Sequence, residues 1–309
     1  MGTKEKVVVI LGPTATGKSS CAIQLAQSIG GEIISGDSML VYKQMNIATA
    51  KPTEEELALV PHHLVNILEP GANFNVVDFQ KQGRQLIKEI NQRGKTPIVV
   101  GGTGLYIQAL LENYTFSQAE ESEEFRKKME DFAQTAGNEA LYQKLREIDP
   151  TAAVRLKIND KRRIIRALEV AGTGEQVSQQ KAGLGQFDSV VFGLSMPREK
   201  LYQRINNRVD AMVKAGIFQE TQGLLAQGIP ADCQAMKSIG YHQIIAYLSG
   251  TYDRGTCIDK IKQATRNFAK RQITWYKRMP YIHWLEVEEN VSPAIYGEKM
   301  FAYLQKVWK

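Results

Sequence analysis

Apolar positions along the chain follow two periods in turn. Val7-Val8-Val9-Ile10-Leu11 is an unbroken, largely β-branched run, the pattern of a parallel strand buried on both faces. Behind it Cys21, Ala22, Leu25, Ala26 and Ile29 recur at helical spacing, and Gly30-Gly31 closes that helix. A second short strand follows at Glu32-Ile33-Ile34-Ser35, and a third at Pro97-Ile98-Val99-Val100. Between them lie a long aperiodic loop from Met39 to Thr53, an acidic helix from Glu54 to Val60 stopped by Pro61, and an amphipathic helix from Val76 to Asn91. From about Gln118 to Gln186 the pattern is helical with no convincing strand, opened by the acidic run Glu120–Glu124. Strand character returns at Val190–Ser195, and Pro197 opens a helix with Leu201, Ile205, Val209 and Met212 on its buried stripe. A last edge strand is predicted at Tyr281–Leu285. Strand and helix in alternation predict an α/β fold interrupted by a helical insertion.

The junction after the first strand carries the strongest chemical signal. Gly12-Pro13-Thr14-Ala15-Thr16-Gly17-Lys18-Ser19 sits between strand and helix, the context that makes G-x-x-x-x-G-K-S a P-loop. Its backbone N–H groups and the helix N-terminus suit an anion, Lys18 reaches outer phosphate oxygens, and the Ser19 hydroxyl suits a magnesium ion. The fold class is therefore a P-loop NTPase-like parallel sheet flanked by helices, with residues 1–117 and 187–309 as its core domain and 118–186 as the insertion. Ligands of open α/β sheets bind beyond the carboxyl ends of the strands. The second strand delivers Gly36-Asp37-Ser38 to that rim, and the third delivers Gly101-Gly102-Thr103-Gly104. Asp37 is equally well read as a turn residue on position alone. His62-His63 lacks a third ligand nearby, so a structural role is preferred to a metal site.

Composition narrows the partners. The chain has 309 residues, net charge +6 and three scattered cysteines without a C-x-x-C pair, which points to reduced thiols and a cytoplasmic setting. No apolar run is long enough to cross a membrane, and the first is the strand itself, so neither membrane nor leader is expected. A monomer is expected. From Val191 to Trp284 there are 14 Lys and Arg against 6 Asp and Glu, and Gln263–Arg278 interleaves the cations with Phe, Trp and Tyr. That mixture suits a nucleic acid, although a basic helix buried on its aromatic side gives the same pattern.

Several segments together resemble the bacterial tRNA dimethylallyltransferases, also called tRNA isopentenyltransferases or IPP transferases. They are GPTATGKS, DSMLVYKQM with TAKP, PHHL, GGTGLY, RRIIRALEV, RVDAMVKAG and KSIGYHQ with TRNFAKRQITWYKR, in order across nearly the whole chain. Leu40 stands where that family usually has Gln, and Asn66 where it usually has Asp. The resemblance implies transfer of a dimethylallyl group from dimethylallyl diphosphate to N6 of adenosine 37, beside the anticodon of tRNA, with diphosphate released. It implies Asp37 as general base, and Lys18, Thr103 and Arg208 on the leaving diphosphate within the cradle Gly12–Ser19. Mg2+ would be held near Ser19. For tRNA it implies Asp37, Ser38, Met39, Leu40 and Thr103 near the target base, and Arg126, Lys161, Arg162, Arg163, Ile164, Ile165 and Arg166 of the insertion on the anticodon stem-loop. Lys237, Tyr241 and Gln243 would join the same surface.

Without the resemblance, a P-loop chain of this size reads first as a nucleoside or nucleotide kinase, with the insertion as its lid. No second-metal Asp ends an apolar strand, and the basic-aromatic C-terminal region has no role there. The P-loop is equally compatible with an RNA-binding ATPase, or with an isopentenyltransferase acting on free adenine nucleotides.

Overall fold

The computed structural model describes residues 4–112, 114, 116–117, 122–173, 185–288 and 291–308. Its chain forms two compact units, residues 1–111 with 184–309 and residues 112–183. Parts of the acidic run, Gly174 and the predicted limit at Gln118 lie outside the described residues.

In the larger unit the elements run β1 (Lys6–Leu11), α1 (Lys18–Ile29), β2 (Glu32–Ser35), α2 (Glu54–Leu59), β3 (His62–His63), α3 (Val76–Gln92), β4 (Pro97–Gly101) and α4 (Gly104–Leu111). The smaller unit holds α5 (Glu123–Ile148), α6 (Pro150–Arg155) and α7 (Lys161–Ala171). The larger unit then resumes with β5 (Asp188–Ser195), α8 (Arg198–Ala215), α9 (Ile217–Ala226), α10 (Tyr241–Leu248), α11 (Arg254–Tyr276), β6 (Ile282–Glu286) and α12 (Pro293–Val307).

Six strands make one sheet in the order β3-β2-β4-β1-β5-β6, and every pairing is parallel. The period of two along β1 explains why its apolar run is unbroken. Val7, Val9 and Leu11 enter the core on one face with Phe79, Ile87 and Tyr276. Val8 and Ile10 enter the core on the other, with Ala22, Leu25, Leu201 and Met300. Each such side chain contributes about 1.5–3 kcal/mol by leaving water. A strand so placed has its carboxyl end fixed, and whatever follows it inherits that rigidity.

The smaller unit has its own core, in which Met129, Leu141, Leu145, Ile164, Ile165 and Leu168 pack together. A buried carboxylate ties its elements. Glu169 accepts from the Ser122 N–H at 2.7 Å, from Arg126 at 3.0 Å and from Arg166 at 2.5 Å. Among the described residues no helix is long and apolar enough to cross a membrane.

Candidate active site

The P-loop departs from β1 at Gly12, where φ is 154° and an added Cβ would lie 2.7 Å from the Leu194 carbonyl oxygen. Only glycine fits both demands. Ala15 takes the left-handed conformation at φ 66°, and Gly17 at φ 88° leads into α1 with no side chain capping it. Thr16 braces the loop from within, donating its hydroxyl to the Pro13 carbonyl at 2.8 Å. Lys18 donates to the same carbonyl at 2.8 Å. Burial, and then the Arg208 guanidinium, pull the Lys18 amine down to about 8, against the pull of Asp37. Burial likewise works against the Arg208 charge, which Asp37 supports. Neither cation has a carboxylate within ion-pair distance among the described residues.

Two further strand ends meet this loop. Asp37 follows β2; its Oδ1 accepts the Met39 N–H at 2.8 Å, and Oδ2 takes no hydrogen bond from the described residues. Thus the turn reading of Asp37 holds for one oxygen and leaves the other free for chemistry. Thr103 follows β4, and its hydroxyl oxygen accepts the Ser38 N–H at 3.3 Å. Its O–H hydrogen therefore remains available for another acceptor.

Two abutting cavities open on these groups. The first, about 280 Å³, is lined by the P-loop with Lys18 and Ser19, and by Asp37, Leu40, Arg208 and Gln272. Apolar side chains of α8, α9 and α11 dominate the second, about 320 Å³: Ile205, Val209, Met212, Ile217, Ile261 and Phe268, with Met39. Ser38, Thr103 and Lys237 also line it. Thr14, Asp37, Thr49, Ala50, Arg208 and Phe268 line both. One chamber is mainly polar, with Lys18, Arg208, Asp37 and Glu56 on its wall. Its neighbour is mainly apolar, with Lys237 and Arg271 among its lining. Asp37 and Arg208 line both.

The residue that braces this rim lies within the TRNFAKRQITWYKR segment, where sequence reasoning gave it no role. Gln272, 5% exposed on α11, accepts the Thr14 N–H at 2.9 Å and donates to the Gly102 carbonyl at 2.8 Å. One turn on, the Tyr276 hydroxyl donates to Gly102 at 2.8 Å and reaches Gly12 at 3.3 Å. These two side chains hold the P-loop to the turn that carries Thr103. The available signal was their place on the buried stripe of α11, with Ile261 and Ala269, where polar side chains need partners.

Three expected RNA contacts, Ile164, Ile165 and Tyr241, need correction. Ile164 and Ile165 are 0% and 3% exposed in the core of the smaller unit, because they occupy the apolar face of α7. Arg162 and Arg163 are exposed on that helix, while Arg126 and Arg166 hold Glu169. Tyr241 is fully buried and donates its hydroxyl to Glu220 at 2.6 Å, so it presents no surface to a nucleic acid. Gln243 accepts the Gly240 N–H at 2.8 Å at the start of α10. His62 and His63 are structural: His63 Nε2 meets Glu32 at 2.7 Å, and His62 Nδ1 meets the Val60 carbonyl at 2.8 Å.

Known proteins share both the sequence and the fold that build this geometry. A family model described as IPP transferase matches residues 40–279. A tRNA dimethylallyltransferase of Caldanaerobacter subterraneus subsp. tengcongensis is 44% identical over 97% of both chains. One from Carboxydothermus hydrogenoformans is 49% identical over 91% of this chain and 92% of its own. The crystal structure of the full-length tRNA isopentenylpyrophosphate transferase of Bacillus halodurans superposes with TM-score 0.73 at 40% identity, covering 98% of each chain. A eukaryotic dimethylallyltransferase acting on tRNA reaches TM-score 0.84 at 30% identity, covering 98% of this chain and 79% of that one. By family model, by relatives along nearly its full length and by fold, this chain belongs to the IPP transferase family.

Proposed function

We propose that the chain transfers a dimethylallyl group from dimethylallyl diphosphate to N6 of adenosine 37, next to the anticodon of tRNA, and releases diphosphate. The observation that carries this reading is the pair of abutting cavities, one mainly polar and built on the P-loop with Lys18, one mainly apolar, with Asp37 and Arg208 lining both. A diphosphate with a short hydrocarbon tail has the same division of character.

In the reaction the bond from the prenyl C1 to the bridging oxygen breaks, and its electron pair leaves with diphosphate. A new bond joins C1 to N6, and the N6 proton passes to Asp37. Charge grows on the leaving oxygens, so Lys18, Arg208 and the N-terminus of α1 stabilise the transition state more than the ground state. Thr103, whose oxygen already accepts from Ser38, donates its hydroxyl hydrogen to the leaving group. Asp37 keeps one oxygen on Met39 and offers the other to the N6 proton. The target base leaves its stack to reach this depth.

Mg2+ fits the donor set. No cluster of three His, Cys, Asp or Glu exists among the described residues, and magnesium takes most of its ligands from phosphate oxygens and water. Ser19, on the wall of the P-loop cavity, would hold it. The bound ion adds charge neutralisation on diphosphate.

Within the smaller unit, exposed Arg162 and Arg163 with Lys161 open α7 and offer cations to RNA phosphates. The same reading takes the protein as a monomer, and places it in the cytoplasm, where its three free cysteines would stay reduced. Mass spectrometry of tRNA nucleosides after incubation with dimethylallyl diphosphate and Mg2+ tests the reading. A prenylated adenosine is expected; an unmodified tRNA, or phosphoryl transfer from ATP in its place, overturns it.

A further inference from the structure

The wall shared by the two cavities includes Thr49 and Ala50, and these belong to a loop that lacks regular structure of its own. The segment turns through left-handed conformations at Gln44, φ 61°, and Ala50, φ 51°. Thr49 donates its hydroxyl to the Met45 carbonyl at 2.6 Å and Lys51 donates to the Tyr42 carbonyl within the segment, and one side chain from another element gathers its backbone N–H groups. The Glu220 carboxylate, on the first turn of α9, accepts from the N–H of Asn46 at 2.8 Å, of Ile47 at 2.9 Å and of Ala48 at 3.4 Å. It also accepts the Tyr241 hydroxyl at 2.6 Å. Three successive amides converging on one acceptor form the kind of concavity that elsewhere binds a free anion; here the anion is the protein's own. Gly240, just before α10, closes the other side, where a Cβ would lie 3.0 Å from Ala48 Cβ.

We propose that Glu220 is a positioning residue for the transfer reaction, fixing the 46–50 loop so that Thr49 and Ala50 wall the junction where the prenyl carbon meets its acceptor. The assignment rests on the transfer reading above. Glu220 itself does not line either cavity, so its effect passes through the loop. A carboxylate is required because every partner is a donor. In Glu220→Gln the amide nitrogen brings hydrogens of its own towards N–H groups and leaves amides unpaired.

Amide hydrogen exchange on the full chain without ligand tests the anchor directly, beside inorganic diphosphate affinity and single-turnover prenyl transfer. For Glu220→Gln, exchange at Asn46, Ile47 and Ala48 should rise about tenfold or more while the sheet strands stay protected. Transfer rate should fall about tenfold with diphosphate affinity within about twofold, since the P-loop is untouched. Glu220→Asp keeps the charge but shortens the reach, so Ala48, already the longest contact, should lose protection first; it also serves if the Gln variant cannot be purified. Unchanged exchange at 46–48 in either variant, or loss of protection shared by the whole sheet, overturns the assignment. A wild-type protein that transfers no prenyl group would sink the functional reading instead, and leave the exchange result to judge Glu220.

Discussion

The two ends of β2 each carry an acid, and they are opposites. At the amino end Glu32, 3% exposed, receives His63 at 2.7 Å, Arg93 at 2.8 Å and Lys95 at 2.9 Å. Burial alone would raise its carboxyl, but those hydrogen bonds outweigh it and hold it at about 2. At the carboxyl end Asp37 keeps an oxygen free, and the cations beside it, Lys18 and Arg208, are themselves depressed by burial. One end is electrostatically complete. Its opposite is a desolvated positive cavity with an idle base, which is a poor way to stabilise a fold and a good way to bind and activate an anionic leaving group. Stability and chemistry are thus separated by the length of one four-residue strand.

The sharpest test of that separation is Asp37→Asn. Asn can still accept the Met39 N–H, so the fold should persist, with a loss of about 1 kcal/mol as buried Lys18 and Arg208 lose a favourable charge. It cannot take the N6 proton, and single-turnover transfer should fall about 10³-fold, near 4 kcal/mol of barrier. Inorganic diphosphate should bind the variant no more weakly than wild type. Near-normal turnover would mean that the free oxygen of Asp37 is not the base.

A smaller loss is expected from the brace. Gln272→Leu removes both contacts that tie Thr14 to Gly102 and leaves the Thr14 N–H without its partner, while the Gly102 carbonyl keeps only the Tyr276 hydroxyl. Transfer rate should fall about 10²-fold through misplacement of Thr103 against the P-loop. Activity that survives intact while the melting temperature drops would show that the brace serves folding alone, and would blur the contrast between the two ends.

At the amino end the same logic predicts the reverse pattern. Glu32→Gln should cost about 2 kcal/mol of stability at neutral pH, because three partners lose their charge-assisted acceptor, with kcat per folded molecule unchanged. A carboxyl held at about 2 in place of 4.5 stabilises the fold above 4.5. That contribution should disappear as pH falls from 4.5 towards about 2, so urea unfolding of wild type and variant should converge there. Parallel curves down to the lowest pH would break the assignment.

Which parts of this arrangement were legible in the sequence follows from the range of the interactions. The P-loop, Asp37 and Thr103 announce themselves because each sits within a few residues of a strand end, and an apolar run followed by glycine is a local signal. Gln272 reaches Thr14 across 258 positions, and nothing in the helix that carries it names its partner. Tyr241 and Ile164 lie in basic or family-like segments that suggested RNA, yet both fill cores, since an amphipathic helix offers only one face to a ligand. The two-residue β3 is too short for any periodicity, and it exists because β2 needs a neighbour at the sheet edge. The basic start of α7 is legible in the sequence, but nothing local tells exposed Arg163 from Arg126, whose charge holds Glu169.

The smallest predicted effect reverses the sign seen at Glu32. Lys18 is held at about 8 from an ordinary 10.5, so its charge is favoured more in the unfolded chain than in the fold. Stability therefore rises with pH between about 8 and 10.5, and below that window the empty protein carries the cost of a buried ammonium. Lys18→Met keeps the length of the side chain without the charge, and should make the empty protein more stable by about 1 kcal/mol at pH 7, while abolishing measurable diphosphate binding. In wild type, diphosphate favours the charged amine, so binding above about pH 8 takes up a proton and affinity should fall up to about tenfold per pH unit. The ligand's own titration is common to wild type and to Lys18→Arg, whose cation does not titrate in this range, so the difference between their calorimetric affinities isolates this group. A Met variant less stable than wild type would place Lys18 with Glu32 among the residues that hold the fold together, and the division of labour along β2 would fail.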